Sequence, residues 1–324
     1  MDKEYSEIIK TAKEKYKYRI LPRCRNFEQE RIYIQNRAYI LTTVFIFSLA
    51  IVLFFVLNDF SPKAKIISFL PFLITSLLTG ALPKKKDFER RVKKEIMPYF
   101  CSCFDNLKWV NSDLYDKSDA KSDFDKKEFF NTARKMLKKS RLSYFLNSTV
   151  FEWDDVFVGC YREADFEIIE LLSSTSDGKR SIINFSGVVI KIDFNKVIKA
   201  HTMILPKDES LLFSDFKKII LEDVEFNKKY SVYSNDEIEA RYLITSAFMD
   251  RLNNLKTAFN TNKAACAFYD KYLLIAFNKM QDIFEFGTFD KSLLDYDIFS
   301  RLLREIISIY KMIDYFKLTD KTKI

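Results

Sequence analysis

Between Ala38 and Leu82 the chain carries two apolar runs separated by a short polar stretch, a pattern that leaves few ways to fold in water. The first run, Ala38 to Leu57, reads AYILTTVFIFSLAIVLFFVL, twenty residues without a charge. At about 1.5 Å per residue, a helix of that length reaches about 30 Å, the thickness of a bilayer's hydrocarbon core. Its polar members Thr42, Thr43 and Ser48 can return their hydroxyls to the preceding turn. The second run, Ile66 to Leu82, has seventeen residues and includes Pro71 and Gly80. It sits at the lower limit for a span, and Pro71 is expected to kink it. Asn58 to Lys65 leaves room for a tight turn only. A buried helical pair in a soluble core is the competing account, but the first run is too long and too uniformly apolar for it. A re-entrant second segment is the nearer rival.

The flanks orient this transmembrane helical hairpin, residues 38–83. Arg19, Arg23, Arg25, Arg31 and Arg37 precede the first run, and Lys84, Lys85, Lys86, Arg90, Arg91, Lys93 and Lys94 follow the second. The turn holds only Lys63 and Lys65. The positive-inside rule then places both termini in the cytoplasm of a multi-pass inner-membrane protein, with the first run as an uncleaved signal anchor. The net charge of +8 divides accordingly: +4 in residues 1–37, +1 across the hairpin, +5 in 84–94 and −2 in 95–324. The basic excess lies beside the membrane, where it can attract anionic lipid head groups. The nearly neutral C-terminal part argues against nucleic acid as a partner. Five scattered cysteines suit the reducing cytosol.

Around the hairpin the chain divides into a basic cytosolic N-terminal arm (1–37), a juxtamembrane helix and polar linker (84–128), and a domain (129–324). In the arm, Ile8, Ile9, Ala12, Tyr16 and Ile20 recur at helical spacing and Pro22 is expected to end the helix. It either lies on the leaflet or packs on the soluble domain. Phe88, Val92, Ile96, Phe100, Phe104 and Leu107 mark a helix leaving the membrane, bent at Pro98. The aspartate-rich Asn111 to Lys127 reads as a linker.

From Phe129 to Leu142 a helix is expected, then strands at Asp155–Tyr161, Ala164–Ser174, Ser181–Asp193 and Thr202–Leu205. Arg162-Glu163 would turn the first pair, and Ser176-Asp177-Gly178-Lys179 is a hairpin signal because Asp-Gly readily supplies positive φ. A short strand at Ser231–Tyr233 runs into a helix whose start carries Ser234 and Glu237 as a capping box. Asp236, Glu237 and Glu239 suit the positive end of that helix. A helix over Ser246–Phe259 follows, then strands Ala264–Tyr269 and Tyr272–Phe277 turned by Asp270-Lys271. Leu294, Ile298, Leu302, Ile306, Tyr310 and Ile313 describe a closing amphipathic helix. The fold class is α+β: a two-helix transmembrane hairpin followed by a cytosolic antiparallel-sheet domain with flanking helices.

The segment Leu221 to Leu252, LEDVEFNKKYSVYSNDEIEARYLITSAFMDRL, resembles the signature of the bacterial membrane-protein family catalogued as domain of unknown function 3137. Phe185-Ser186-Gly187, Asp193-Phe194-Asn195-Lys196 and Ile204-Leu205-Pro206 resemble its next most recognisable stretch, although Ser186 and Val188 replace the more usual basic and bulky neighbours of Gly187. The resemblance implies a membrane-anchored protein without an established activity, of a group often linked with LemA-type membrane proteins.

Within the signature, Glu222, Asp223, Glu225, Glu237, Glu239 and Arg241 can be imagined as an acidic pocket with one arginine, and paired carboxylates perform acid–base work when burial splits their pKa values. The structural account is preferred: Asp236 and Glu237 start a helix, while Glu239 and Arg241 brace it. Glu225 and Phe226 are candidates for a partner surface. Glu222, Asp223, Glu225, Phe226, Asp236, Glu239 and Arg241 are therefore the candidate functional or fold-signature surface.

Other chemistries find little support. His201 is the single histidine, which excludes a multi-histidine metal site. A nucleophile built from His201 with Cys160 or Cys266 is disfavoured, since cysteines in apolar strands are usually inert. Cys101-x-Cys103 lacks companion ligands, and five glycines leave little room for a phosphate-cradling loop. No catalytic residue, metal ligand or cofactor is assigned. The expected function is a membrane-anchored interaction or scaffold module that recruits or senses a protein or lipid partner; the alternative is a membrane-tethered enzyme using the carboxylates of Leu221–Leu252.

Overall fold

The computed structural model describes residues 2–58, 60–80, 85–111, 126–178, 180–209, 215–279, 284–286 and 289–321. Most of the polar linker, the end of the second apolar run and Lys179 of the Asp-Gly turn lie outside them. The chain divides into two compact units: Met1–Lys13, Met97–Glu285 and Asp297–Ile324 form one, and Glu14–Ile96 with Phe286–Tyr296 form the other.

The smaller unit is helical. Helix α1 (Asp2–Lys15), which belongs to the larger unit up to Lys13, passes through a π turn (Tyr16–Ile20) into α2 (Leu21–Leu57). Pro22 thus does not end the arm helix, contrary to the sequence expectation. It sits in the first turn of α2, where a missing N–H costs nothing, and the Leu21 N–H reaches back to the Tyr16 carbonyl in the wider π register. Tyr16, Ile20 and Cys24 are buried, so the arm packs against protein rather than standing in solvent. Helix α4 (Lys85–Cys101) contributes Phe88, whose ring meets Phe27 and Phe289 edge-on. A buried pair, Arg31 with Glu28 at 2.7 Å, is completed by the Leu293 N–H donating to Glu28. The Arg31 guanidinium holds the Glu28 carboxyl down to about 2.

Farther along, α2 lies beside α3 (Pro62–Gly80), with Pro71 inside it. Ser48 and Thr75 face each other at 3.2 Å, and the Phe45 and Phe72 rings stand 5.0 Å apart. The outward faces are apolar: Phe47, Phe54, Leu57, Ile66, Leu73 and Leu77 are exposed while Ser48, Ser68 and Thr75 are buried. Among the described residues, one helix, Glu4–Leu57, is long and apolar enough to cross a membrane.

The larger unit is α+β. Its strands are β1 (Lys108–Asn111), β2 (Val150–Tyr161), β3 (Ala164–Ser176), β4 (Ser181–Pro206), β5 (Lys217–Ile219), β6 (Tyr230–Ser234) and β7 (Ala265–Asn278). All described pairings are antiparallel, in the order β1-β2-β3-β4-β6-β5, with β7 also paired to β4. Arg162 and Glu163 turn β2 into β3 with φ of 48° and 64°, as expected. At the next turn Gly178 takes φ 82° and the Asp177 carboxylate accepts the Arg180 N–H.

Two expectations are corrected here. The strands Ser181–Asp193 and Thr202–Leu205 are one strand, β4, whose pairing with β7 shifts register between Asp193 and Ile198 and again before Thr202. Asp270-Lys271 is likewise a kink inside β7, not a turn. Asp270 (φ 54°) pairs with Ile198 where β4 is irregular, and Lys271 pairs its ammonium with Asp193 at 2.6 Å.

Each sheet face is covered by helices. On one face α5 (Lys126–Lys139) and α6 (Ser143–Leu146) bring Leu137 and Phe145 onto Val156, Ile169, Val189, Met203 and Leu274. On the other, α9 (Ser246–Ala258) and α10 (Tyr296–Lys321) set Phe248 and Phe316 against Phe268, and Tyr310 against Phe166. From α1, Tyr5 donates to Asp314 of α10, and Arg162 pairs with Asp314 at 3.1 Å.

Gly187 shows why one signature residue has no side chain. A Cβ there would lie 2.0 Å from the Phe277 carbonyl oxygen and 2.9 Å from the Lys279 nitrogen, both rigid backbone atoms of the paired strand. Gly187→Ala is expected to lower the unfolding free energy by at least about 2 kcal/mol, read as a lower denaturant midpoint at unchanged slope.

Candidate functional site

The signature segment folds as a run of short elements after β5. Asp223 caps α7 (Val224–Lys229), its carboxylate accepting the Phe226 N–H at 2.8 Å. Phe226 is buried against the Tyr230 ring. Glu225 points outward to Lys228 at 2.7 Å. After β6, Asp236 caps α8 (Glu237–Leu243) by accepting the Glu239 N–H. Asp236 therefore fills the place expected of Ser234. The Ser234 hydroxyl stands too early and is spent on Thr202, at 2.8 Å, and on the Asp236 backbone.

Glu239 reaches across to β4 and accepts the backbone N–H groups of Lys199 and Ala200. These lie in the stretch where the β4–β7 ladder is interrupted. The next N–H, of His201, donates to the Asn235 side chain at 2.8 Å. The signature's polar residues thus satisfy strand amides that lack a strand partner. Arg241 bridges Glu222 and Glu237, both at 2.8 Å, and donates to the Ile220 carbonyl at 2.9 Å.

These seven residues do not converge on one cleft: two cap helices, one fills the core, one ties α8 to β4, and Glu222, Glu225 and Arg241 form exposed ion pairs. What the segment does present is apolar. Ile238 is 83% exposed, and Ile220, Val224 and Tyr242 are exposed with it. Ile238 and Tyr242 share one face of α8, and the Arg241 bond to Ile220 brings the end of β5 beside that helix.

The other candidates separate. His201 donates its Nε2–H to the Ser140 carbonyl at 3.0 Å and stacks on Tyr269, and burial lowers its pKa. Neither Cys160 nor Cys266 is among its contacts in the described residues, and burial pushes both thiols up. A cleft of about 230 Å³ between α5 and the sheet is lined by Lys139, Glu167, Lys191 and Asp270, whose charges pair as Lys191 with Glu167 and Lys139 with Asp270, both at 2.5 Å.

The large unit also buries carboxylates outside the signature segment, Asp155, Glu170 and Glu305. Asp154, Asp155 and Glu170 each place one carboxylate oxygen within 4.8 Å of the others. Trp109 donates its indole N–H to Asp155 at 2.8 Å. Glu305 of α10 is 1% exposed, with Arg301 no nearer than 4.0 Å. Burial, helped by the Glu170 charge and opposed by Arg301, Lys279 and Arg304, pushes its carboxyl up to about 8. The available signal is the Asp154-Asp155 doublet, which breaks the alternation of β2.

An antiparallel α+β unit accompanied by a long apolar helix, with no converged catalytic set among its signature residues, defines the class. In the C-terminal half, residues 183–318 match the family model described as "Protein of unknown function (DUF3137)". No curated protein matches the chain. Among solved structures, the mycobacterial trehalose monomycolate transport factor A, TtfA, is similar at 13% identity and a TM-score of 0.32, over 55% of this chain and 82% of that one. That likeness is too slight to carry an argument about fold or function.

The Glu305 environment has a signed consequence for stability. Its carboxyl holds a proton in the folded state up to about 8, whereas an unfolded glutamate releases it near 4.5. The folded state therefore binds more protons across that window, and stability falls as pH rises through it. In metal-free buffer, Glu305→Gln is expected to flatten the decline between pH 5 and 9 and to gain on the order of 1–4 kcal/mol at the alkaline end. Parallel pH slopes for the two proteins in denaturant titrations would contradict this.

Proposed function

We propose that this chain is a membrane-anchored interaction module whose α+β unit recruits a protein partner on the cytoplasmic side of a bacterial inner membrane. The observation that carries the proposal is the apolar group Ile220, Val224, Ile238 and Tyr242, exposed on the signature segment while that segment's carboxylates are committed to caps, strand amides and ion pairs. Such a surface suits docking. An enzyme built on Glu222, Glu225, Glu239 and Arg241 would need them gathered in a water-excluding site, and they are not.

The membrane part of the proposal rests on α2 and α3 as a two-span hairpin. Their exposed faces are apolar and their mutual contact holds Ser48 and Thr75, the reverse of a helix pair built for water. The basic flanks orient the hairpin with both termini cytoplasmic and favour anionic head groups. The family resemblance makes a LemA-type membrane protein the first partner to try.

Two measurements test this. A photoreactive residue at Ile238 is expected to give a discrete protein adduct in native membranes, several-fold stronger than one placed at the exposed Ile182 of the β3–β4 turn, and lost when Ile220→Asp and Val224→Asp are combined. Equal adducts from both positions, or lipid adducts alone, would overturn the protein-partner reading. For topology, an impermeant thiol reagent added to intact cells is expected to label Ser61→Cys but not Lys228→Cys in a chain otherwise free of cysteine. Labelling of both, or the reverse pattern, would refute the orientation.

A further inference from the structure

A bulge in β2 gathers carboxylates in a way a regular strand cannot. Phe151, Trp153, Val156 and Val158 all pack on the apolar cluster beneath α5 and α6. In a regular strand one residue separates two that share a face. Between Trp153 and Val156 there are two, because the register with β3 shifts at that point. The extra residue leaves Asp154 and Asp155 side by side, away from that cluster. On β3, Glu170 alternates with Ile169 and Leu171, which pack on the same cluster, so it faces the same way as the two aspartates. The convergence within 4.8 Å follows, with Asp155 fully buried and Glu170 6% exposed.

A second observation comes from a different element. Helix α10 lies over this face of the sheet: Tyr310 stacks on Tyr161 at 3.9 Å and meets Phe166, which shares its face of β3 with Ile168 and Glu170. Glu305, earlier on the same helix, is buried here, and the Glu170 charge acts on it. Its Oε2 has no hydrogen-bond partner among the described residues, and its Oε1 stands 4.0 Å from Arg301. A carboxylate oxygen sealed from water and left without a donor, with the Glu170 charge acting on it and Arg301 at 4.0 Å from its other oxygen, is a costly arrangement that a bound cation would relieve.

We propose that Asp154, Asp155 and Glu170, closed from α10 by Glu305, bind a hard divalent cation of the calcium class. The donors are all carboxylate oxygens, without nitrogen or sulfur, which selects Ca²⁺, Mg²⁺ or Mn²⁺ over zinc or copper. Separations of no more than 4.8 Å let the three carboxylates share a single ion. Bound there, the ion ties β2 and β3 to α10.

The two tryptophans of the chain report on this place, because Trp109 donates to Asp155 and Trp153 precedes Asp154. The full chain, purified in detergent and stripped with chelator, is titrated with Tb³⁺ while tryptophan is excited. The expected result is saturable sensitised emission, displaced by excess Ca²⁺ and reduced at least tenfold in Asp154→Asn and in Glu170→Gln. Ca²⁺ alone is expected to raise the thermal midpoint of the parent chain and not that of Asp154→Asn. Asp154 is half-buried, so this variant keeps the test decisive if Glu170→Gln fails to fold. Emission that does not saturate, that Ca²⁺ does not displace, or that survives Asp154→Asn overturns the site, as does a thermal midpoint indifferent to Ca²⁺, Mg²⁺ and Mn²⁺ alike.

Discussion

The larger unit depends on one strand serving three neighbours. β4 pairs with β3 through its first half, with β6 at its end, and with β7 along the opposite edge. A strand of 26 residues cannot keep one register against all of them while the sheet twists, so its ladder to β7 breaks between Asp193 and Thr202. Each break leaves backbone N–H groups that must find an acceptor, since a buried unpaired donor costs about 1–3 kcal/mol. Glu239 and Asn235 supply those acceptors, and Asp236 holds α8 in the position from which Glu239 reaches. The Asn235-to-Glu239 part of the signature is therefore a patch over a necessary defect in the sheet. That explains why its carboxylates look like chemistry in the sequence and yet hold no common cleft.

The opposite arrangement occurs beneath α10. There the irregularity is in β2, and it concentrates charge instead of satisfying backbone. A carboxyl such as Glu305, pushed up by burial, shows how little compensation the surrounding apolar side chains provide. Arg301 and Lys279 act on it from a distance, while Trp109 donates to Asp155. Burying Asp155, Glu170 and Glu305 destabilises a fold unless a proton or a cation accompanies them, so their presence in a largely apolar core is difficult to explain as packing.

Local signals were legible in the sequence and long-range ones were not. Arg162-Glu163 and Asp177-Gly178 mark turns because the required φ values are set by a few adjacent residues. The periodicity of Ile298, Leu302, Ile306, Tyr310 and Ile313 gave α10, although Leu294 falls before its start and is exposed. Asp270-Lys271 misled because a polar pair between apolar runs looks the same at a kink as at a turn, and only the facing irregularity in β4 distinguishes them. Pro22 misled for a similar reason: the π turn that accommodates it leaves no mark in composition. The short β1 and β5 were invisible because Lys108–Asn111 and Lys217–Ile219 become strands only by pairing with β2 and β6. Among the signature residues, Asp223, Glu225 and Asp236 find partners three residues away, whereas Glu239 reaches Lys199 and Ala200 and Arg241 reaches Ile220, in elements whose register the sequence does not disclose.

The helical unit adds a constraint of a different kind. Ser48 and Thr75 meet at the α2–α3 contact, and both also bond to their own helices, Ser48 to the Phe45 carbonyl and Thr75 to that of Pro71. Thr75 thereby covers the carbonyl of the residue whose missing N–H has already weakened the local ladder. Phe45 and Phe72 pack around this point. Each hydroxyl has a single proton, so whichever donates across the contact gives up the bond to its own carbonyl. The same two hydroxyls thus put a polar point in the α2–α3 contact while the outward faces of both helices are apolar.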